Sequence, residues 1–205
     1  MNSKRMIKVI RHVTRNVLSE VYGFVNSLFL LPVRVNGLIG KNQVKVGRRL
    51  NGRRVRVVFT GKESSLEIGN NVTFCGNGIE LWIMGNNSHI SIGDRVTIHR
   101  GSHLVSGENC RLSLGENCLI GPNVNIRGSD SHKIYKDGQR LNPDHSILIG
   151  DRVWVAEGAT VLKGTTIPDG CVVGTKSIAR GSYSSGQLLV GIPARPVKDG
   201  IVWQE

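Results

Sequence analysis

Between Ile149 and Ala179 an aliphatic or small residue returns at every sixth position: Ile149, Val155, Val161, Ile167, Val173 and Ala179. A compact residue follows four positions after each of the first five, as Val153, Ala159, Thr165, Cys171 and Ser177. A helix buries one side about every 3.6 residues and a strand every second residue, so neither produces this beat. A fixed repeat of this kind predicts a solenoid of short strands joined by tight corners. One side chain per strand faces the axis and a small one fills each corner. Glycine and asparagine near the corners suit the left-handed backbone that such turns need.

Upstream, the coil is spelled by an aliphatic–x–aliphatic–Gly unit that starts at Val44, Leu66, Ile90, Leu112 and Ile147. Successive steps are 22, 24, 22 and 35 residues. The first three are one coil each, and the last must hold an insertion. That insertion is residues 129–145, SDSHKIYKDGQRLNPDH, which has no beat and carries turn signals at Asp137-Gly138 and Asn142-Pro143. A loop extruded from a rigid coil is a common seat of function. Residues 4–31 read as an amphipathic helix with a basic first half (Lys4, Arg5, Lys8, Arg11, Arg15), ended by Pro32. Past Ala179 the beat fades, and Leu188-Leu189-Val190 is expected as a short strand. The expected organisation is a basic helical segment over 1–43, a coil over 44–190 interrupted by the loop 129–145, and a tail over 191–205.

The hexads, closed by Gly191-Ile192-Pro193-Ala194-Arg195-Pro196-Val197-Lys198, resemble the hexapeptide-repeat acyltransferases from about Leu66 to Lys198. The stretch RGSDSHKIYKDGQRLNPDHSILIGDRVWVAEGATVLKG is most similar to the polysaccharide and sugar O-acetyltransferases. The resemblance implies an all-β fold, a left-handed parallel β-helix. That hand runs against the usual right-handed crossover, so periodicity alone does not give it. It also implies a homotrimer with sites between neighbouring coils, acetyl-CoA as donor, direct transfer without an acyl-enzyme, and no metal.

Charge changes the picture at one end only. Residues 1–60 hold 13 Lys and Arg against the single acid Glu20, so the whole net charge of +12 lies there. A basic segment of this kind attracts acidic polymers or anionic headgroups. No nucleic-acid motif accompanies it, so nucleic acid is not an expected partner. The helix could instead pack on its own coil or a neighbouring subunit, or lie on the inner face of the cytoplasmic membrane as a peripheral contact of a cytoplasmic protein. The run 17–31 is too short and too polar to read as a membrane span. Cys75, Cys110, Cys118 and Cys171 show no metal-ligand spacing and read as reduced structural thiols. The repeated GENC unit at 107–110 and 115–118 reads as coil duplication.

Transfer to a hydroxyl needs a group that takes its proton near neutral pH, and histidine does so best. His132 stands where the regular coil stops, and the resemblance implies that a histidine in this SDSH context is the catalytic base. His145 closes the same loop and, with Asp130, is a candidate for acceptor binding; Asp130 or Asp144 could orient an imidazole. His99 and His103 lack a convincing third metal partner. The resemblance implies that Trp154 stands beside the reacting thioester; its indole N–H, or a nearby backbone N–H, could donate to the oxyanion. Ala156, Gly158, Gly174 and Thr175 are small positions where the pantetheine arm could lie. Lys163, Lys176, Arg180 and Arg195 are candidate phosphate cations. The expected acceptor is a sugar hydroxyl of a surface glycan or its precursor. An amino sugar as acceptor, or a non-catalytic glycan- or membrane-binding coil, are the alternatives.

Overall fold

The computed structural model describes residues 33–204 except 38, 39 and 53; the helix expected over 4–31 lies outside the described residues. Three sheets form the sides of a triangular prism of about seven turns. The first face stacks Val33–Asn36, Val55–Phe59, Ile79–Ile83, His103–Ser106, Asn125–Arg127, Thr160–Leu162 and Ile178–Ala179. The second stacks Gln43–Val46, Ser65–Ile68, His89–Ile92, Arg111–Leu114, Ile147–Ile149 and Thr166–Ile167. The third runs from Asn51–Gly52 through Thr73–Cys75, Thr97–His99, Leu119–Ile120, Trp154–Val155 and Val172–Val173 to Leu188–Gly191. All these pairings are parallel; Ala194–Lys198 then closes the third face antiparallel to Leu188–Gly191.

Register follows the sequence repeat. Val44, Leu66, Ile90, Leu112 and Ile147 are partners across successive coils. Every hexad position from Ile149 to Ala179 is buried, as is every compact residue four positions on. Each fully buried Leu or Ile contributes about 1.5–3 kcal/mol over an exposed one. The axis therefore stabilises the stack without help from the loop. The ladder also begins one strand earlier than Val44. Val33–Asn36 pairs with Val55–Phe59, and Gly37 turns the corner after it, one position later than the glycine of the repeated unit.

The corners explain the recurrent glycine. Gly69, Gly93, Gly115 and Gly150 stack at the turn from second to third face. A Cβ on Gly93 would lie 2.6 Å from the Gly115 carbonyl carbon, so the backbones meet bare. The next residue then ties one coil to another: the Asp151 carboxylate accepts from Glu116 N–H at 2.7 Å, and Asp169 from Asp151 N–H at 2.8 Å. Left-handed φ is not confined to Gly and Asn; Arg49, Arg95 and Arg152 adopt it here. The two GENC units turn successive corners of one coil, first to second face and second to third, so they repeat a corner rather than a coil.

Cys118 and Cys171 fill corners, and Cys110 is buried at another. Burial first of all pushes the Cys118 thiol up to about 12 and raises those of Cys110 and Cys171. Cys75 faces outward beside Phe74 and is partly exposed. A thiol reagent at pH 8 should therefore modify Cys75 in the native protein and the other three only after unfolding. Mass mapping of the labelled peptides checks this, and rapid labelling of Cys118 would contradict its placement.

Candidate active site

The loop leaves the prism at the edge between first and second faces, after Asn125–Arg127 and before Ile147–Ile149. The stack continues undisturbed: Asn125–Arg127 pairs with Thr160–Leu162, and Ile147–Ile149 with Arg111–Leu114. At its tip Tyr135–Lys136 and Gln139–Arg140 form an antiparallel hairpin. Asp137 and Gly138 turn it with φ of 50° and 78°, the type I′ geometry that Asp-Gly favours.

One side chain latches this loop. The Asn142 amide nitrogen donates to Asp130 Oδ2 at 2.9 Å and to the His132 carbonyl at 2.8 Å. Its oxygen accepts from Ile134 N–H at 2.7 Å. Asn142 is buried, while the His132 side chain is exposed. The backbone around His132 is thus fixed and its imidazole is presented to solvent. Ser131 precedes it with φ 67°, donates its N–H to Ser129 Oγ at 3.1 Å, and accepts from Arg127 Nη2 at 2.8 Å.

The two candidate orienting carboxylates hold the loop instead. Asp144 accepts from Ser129 Oγ at 2.9 Å, Arg140 at 2.7 Å and Glu108 N–H at 3.0 Å. Asp130 accepts from Lys163 Nζ at 2.5 Å as well as from Asn142. Lys163, expected as a phosphate cation, therefore has a partner in the loop. His145 N–H donates to the Gly128 carbonyl at 3.1 Å, and its exposed side chain stays at the same edge.

The Lys163 hydrogen bond, against a burial penalty and helped by Asn142 and nearby positive charge, holds the Asp130 carboxyl below its ordinary value. A lowered native value means that the ionised form stabilises the latched loop. That stabilisation is fully present above the ordinary carboxylate range and is lost as pH falls through the lower native value. Amide exchange across 130–142 should thus stay slow in mild acid and quicken only below the ordinary range. Lys163→Met should move the change upward; an unmoved profile would show that the pair does not anchor the loop.

Trp154 lies elsewhere. It projects outward from the third face, 36% exposed, in register between Leu119 and Val172. Its backbone N–H donates to the Cys171 carbonyl at 3.0 Å, so of its two donors only the indole N–H is free of the ladder. The tail folds back to it. The Trp203 ring sits 6.2 Å from that of Trp154, tilted by 47°, and its Nε1 donates to the Arg152 carbonyl at 2.7 Å. Arg152, Gly170, Ile201, Val202 and Trp203 line a shallow cleft of about 50 Å³ beside it.

The candidate residues fall into two groups. His132, Asp130, His145, Lys163 and Arg180 gather at the edge between first and second faces. Trp154, Ala156, Gly158, Gly174, Thr175, Lys176 and Arg195 lie on the third face or its edge with the first. In a triangular prism that face is opposite the loop, so one chain does not bring the groups together. On the third face Gly121, Ala156 and Gly174 follow the ladder in line, and Val190 crowds only the last. Gly121 and Ala156 are buried and Gly174 is half-buried. His99 and His103 face outward from different faces, and among the described residues no three His, Cys, Asp or Glu side chains form a metal-ligating group.

Asn142, Arg127 and Trp203 escaped the sequence reading. The first was visible only as the start of an Asn-Pro turn. Trp203 gave one signal, a large ring in a chain with few aromatics.

No protein-family model matches the chain. WbbJ of Escherichia coli K12, named for an O-acetyl transferase role in lipopolysaccharide biosynthesis, is 33% identical over 150 residues. The match covers 68% of this chain and 74% of WbbJ. The chain belongs to the hexapeptide-repeat acetyltransferases. The polysialic acid O-acetyltransferase of E. coli O1:K1 is 30% identical over 57% of this chain, although the match spans only 38% of that protein's length. The crystal structure of the polysialic acid O-acetyltransferase OatWY superposes with a TM-score of 0.73 at 26% identity, covering 80% of this chain and 77% of that one. Membership of this acetyltransferase family brings the left-handed coil with it and sets aside the non-catalytic reading of the chain.

Proposed function

We propose that this acetyltransferase uses acetyl-CoA to O-acetylate a sugar hydroxyl of a surface glycan or its precursor, by direct transfer with His132 as general base. The observation that carries the reading is the Asn142 latch, which fixes the backbone at Asp130, His132 and Ile134 and leaves the His132 side chain facing solvent. The names of the relatives, WbbJ and the polysialic acid enzymes, support a glycan as acceptor.

In the proposed reaction the acceptor oxygen attacks the acetyl carbonyl carbon while the His132 imidazole takes the hydroxyl proton. The tetrahedral oxyanion accepts a hydrogen bond, for which the Trp154 indole N–H is the donor left outside the ladder. Collapse expels the CoA sulfur, which takes the proton from the imidazolium. The ester and the free thiol leave, and His132 is again neutral.

The donor would lie on the third face, along Ala156, Gly158, Gly174 and Thr175, with Lys176 and Arg195 near its phosphates. Lys163 and Arg180 belong to the opposite edge. The separation of the two groups supports a homotrimer, in which the loop edge of one copy meets the third face of the next. Each site would then take His132 and Trp154 from different chains.

Thiol release from acetyl-CoA, followed with a panel of neutral and acidic glycans, tests the reading. Acceptor-dependent release and an ester-linked acetyl group are expected. Acetylation only of amino sugars would make the enzyme an N-acetyltransferase, and failure to bind CoA would remove the donor assignment. Mixing His132→Ala with Trp154→Ala chains should restore part of the activity that each lacks alone if the sites are shared.

A further inference from the structure

The outward side of the first face differs in charge from that of the second. Arg34, Arg56, Glu80 and His103 are register partners on successive coils. Beside them runs the line Val58, Trp82, Val105 and Arg127. The Arg56 guanidinium lies over the Trp82 ring, 5.3 Å from its centre. Among the described residues the only outward carboxylate on this face is already engaged: Glu80 accepts from Trp82 Nε1 at 2.8 Å and from Arg56 Nη1 at 3.3 Å. Arg34 and Arg56 are exposed, and Trp82 and Arg127 half-buried. By contrast, the outward strand residues of the second face pair Lys45 with Glu67 at 3.1 Å and leave only Arg111 unbalanced.

The line ends at the loop. Arg127 Nη2 donates to Ser131 Oγ, the residue before His132. Neighbouring strands stand about 4.8 Å apart, so the four steps from the strand of Arg34 to that of Arg127 span roughly 19 Å. That is room for several sugar units in extended form.

We propose that the first face is a track for a carboxylate-bearing glycan, along which the acceptor polymer runs through Arg34, Arg56 and Trp82 toward Arg127 and His132. The proposal rests on the sugar O-acetyltransferase reading and deepens it: the acceptor is a polymer, acidic, and held several units from the modified one. Guanidinium groups match carboxylates in a planar, two-pronged geometry. The Trp82 ring and the Arg56 guanidinium over it form one planar platform for a sugar unit and its carboxylate, and Glu80 fixes its orientation. Nucleic acid is also anionic, but it presents phosphates and gains nothing from an enzyme that esterifies sugar hydroxyls.

The test uses the full chain and polysialic acid of graded length, with neutral dextran as control. Binding is followed by calorimetry, and transfer by thiol release. Affinity should rise with length to a plateau at several units, fall with salt, and be absent for dextran. Arg56→Ala and Trp82→Ala should each raise KM for the long acceptor roughly tenfold, leaving kcat and the KM of the shortest acceptor unchanged. Glu80→Gln frees Arg56 while keeping an acceptor for Trp82, and should tighten the long acceptor, which a merely structural role would not do. Equal losses for short and long acceptors, no length dependence in the wild type, or equal competition by single-stranded DNA would each overturn the track. Binding is read without turnover, so a chain that transfers no acetyl group yet binds by length would sink the enzyme reading and leave the track standing.

Discussion

His132→Ala should lower kcat by about 10²–10⁴-fold and leave donor affinity and thermal unfolding at their wild-type values. The size follows from what the imidazole would do. A sugar hydroxyl is a weak nucleophile, and without a base its proton must leave to water in the transition state. The lack of structural cost follows from the fold. The His132 side chain is exposed and has no place in the core, and the contact that fixes its residue is made by its carbonyl, which alanine keeps. Rates over a range of acceptor and donor, with a melting curve for each variant, check the result. Wild-type turnover in His132→Ala would move the base elsewhere, with His145 at the same edge the first to examine.

Asn142→Ala should cost about a hundredfold in kcat while the coil melts within a few degrees of wild type, the loss expected when a catalytic group is misplaced by about 1 Å. Three hydrogen bonds disappear, to Asp130, the His132 carbonyl and Ile134 N–H. Asp130 keeps Lys163, and Asp144 still ties Ser129 to Arg140, so the loop stays attached at its base. What is lost is the registration of His132 between them. Asn142→Asp should be at least as damaging, because a carboxylate cannot donate to the His132 carbonyl and would stand against Asp130. Undiminished activity in both variants would show that His132 reaches its working position without the latch.

The coil was legible because each turn repeats one environment. The axis admits one aliphatic side chain and the corner one small one, so burial writes into the chain a six-residue period that neither a helix nor a lone strand produces. Val33–Asn36 was not, since Asn36 stands between its valine pair and Gly37, which breaks the aliphatic–x–aliphatic–Gly unit that marks the other coils. Within the site, His132 could be found because the period stops there. The partners of Asp130 and Asp144 could not. Lys163 stands 33 residues beyond Asp130 and Glu108 lies 36 before Asp144, and only the stacking of coils brings them close. The split between loop edge and third face was equally hidden, because a linear reading places His132 and Trp154 near each other while the prism puts them on opposite sides.

The insertion enters and leaves the prism at one edge, between strands whose pairings above and below are complete without it. Its ends are held by the stack whatever lies between them. The closure entropy of such a loop grows only logarithmically with length, about 0.6 kcal/mol for each doubling. Lineages could therefore lengthen, shorten or replace this segment, and with it the chemistry presented to the acceptor, while the strands on either side keep their register in the stack. In this architecture new specificities would arise as changes in one loop on an inherited, nearly fixed stack.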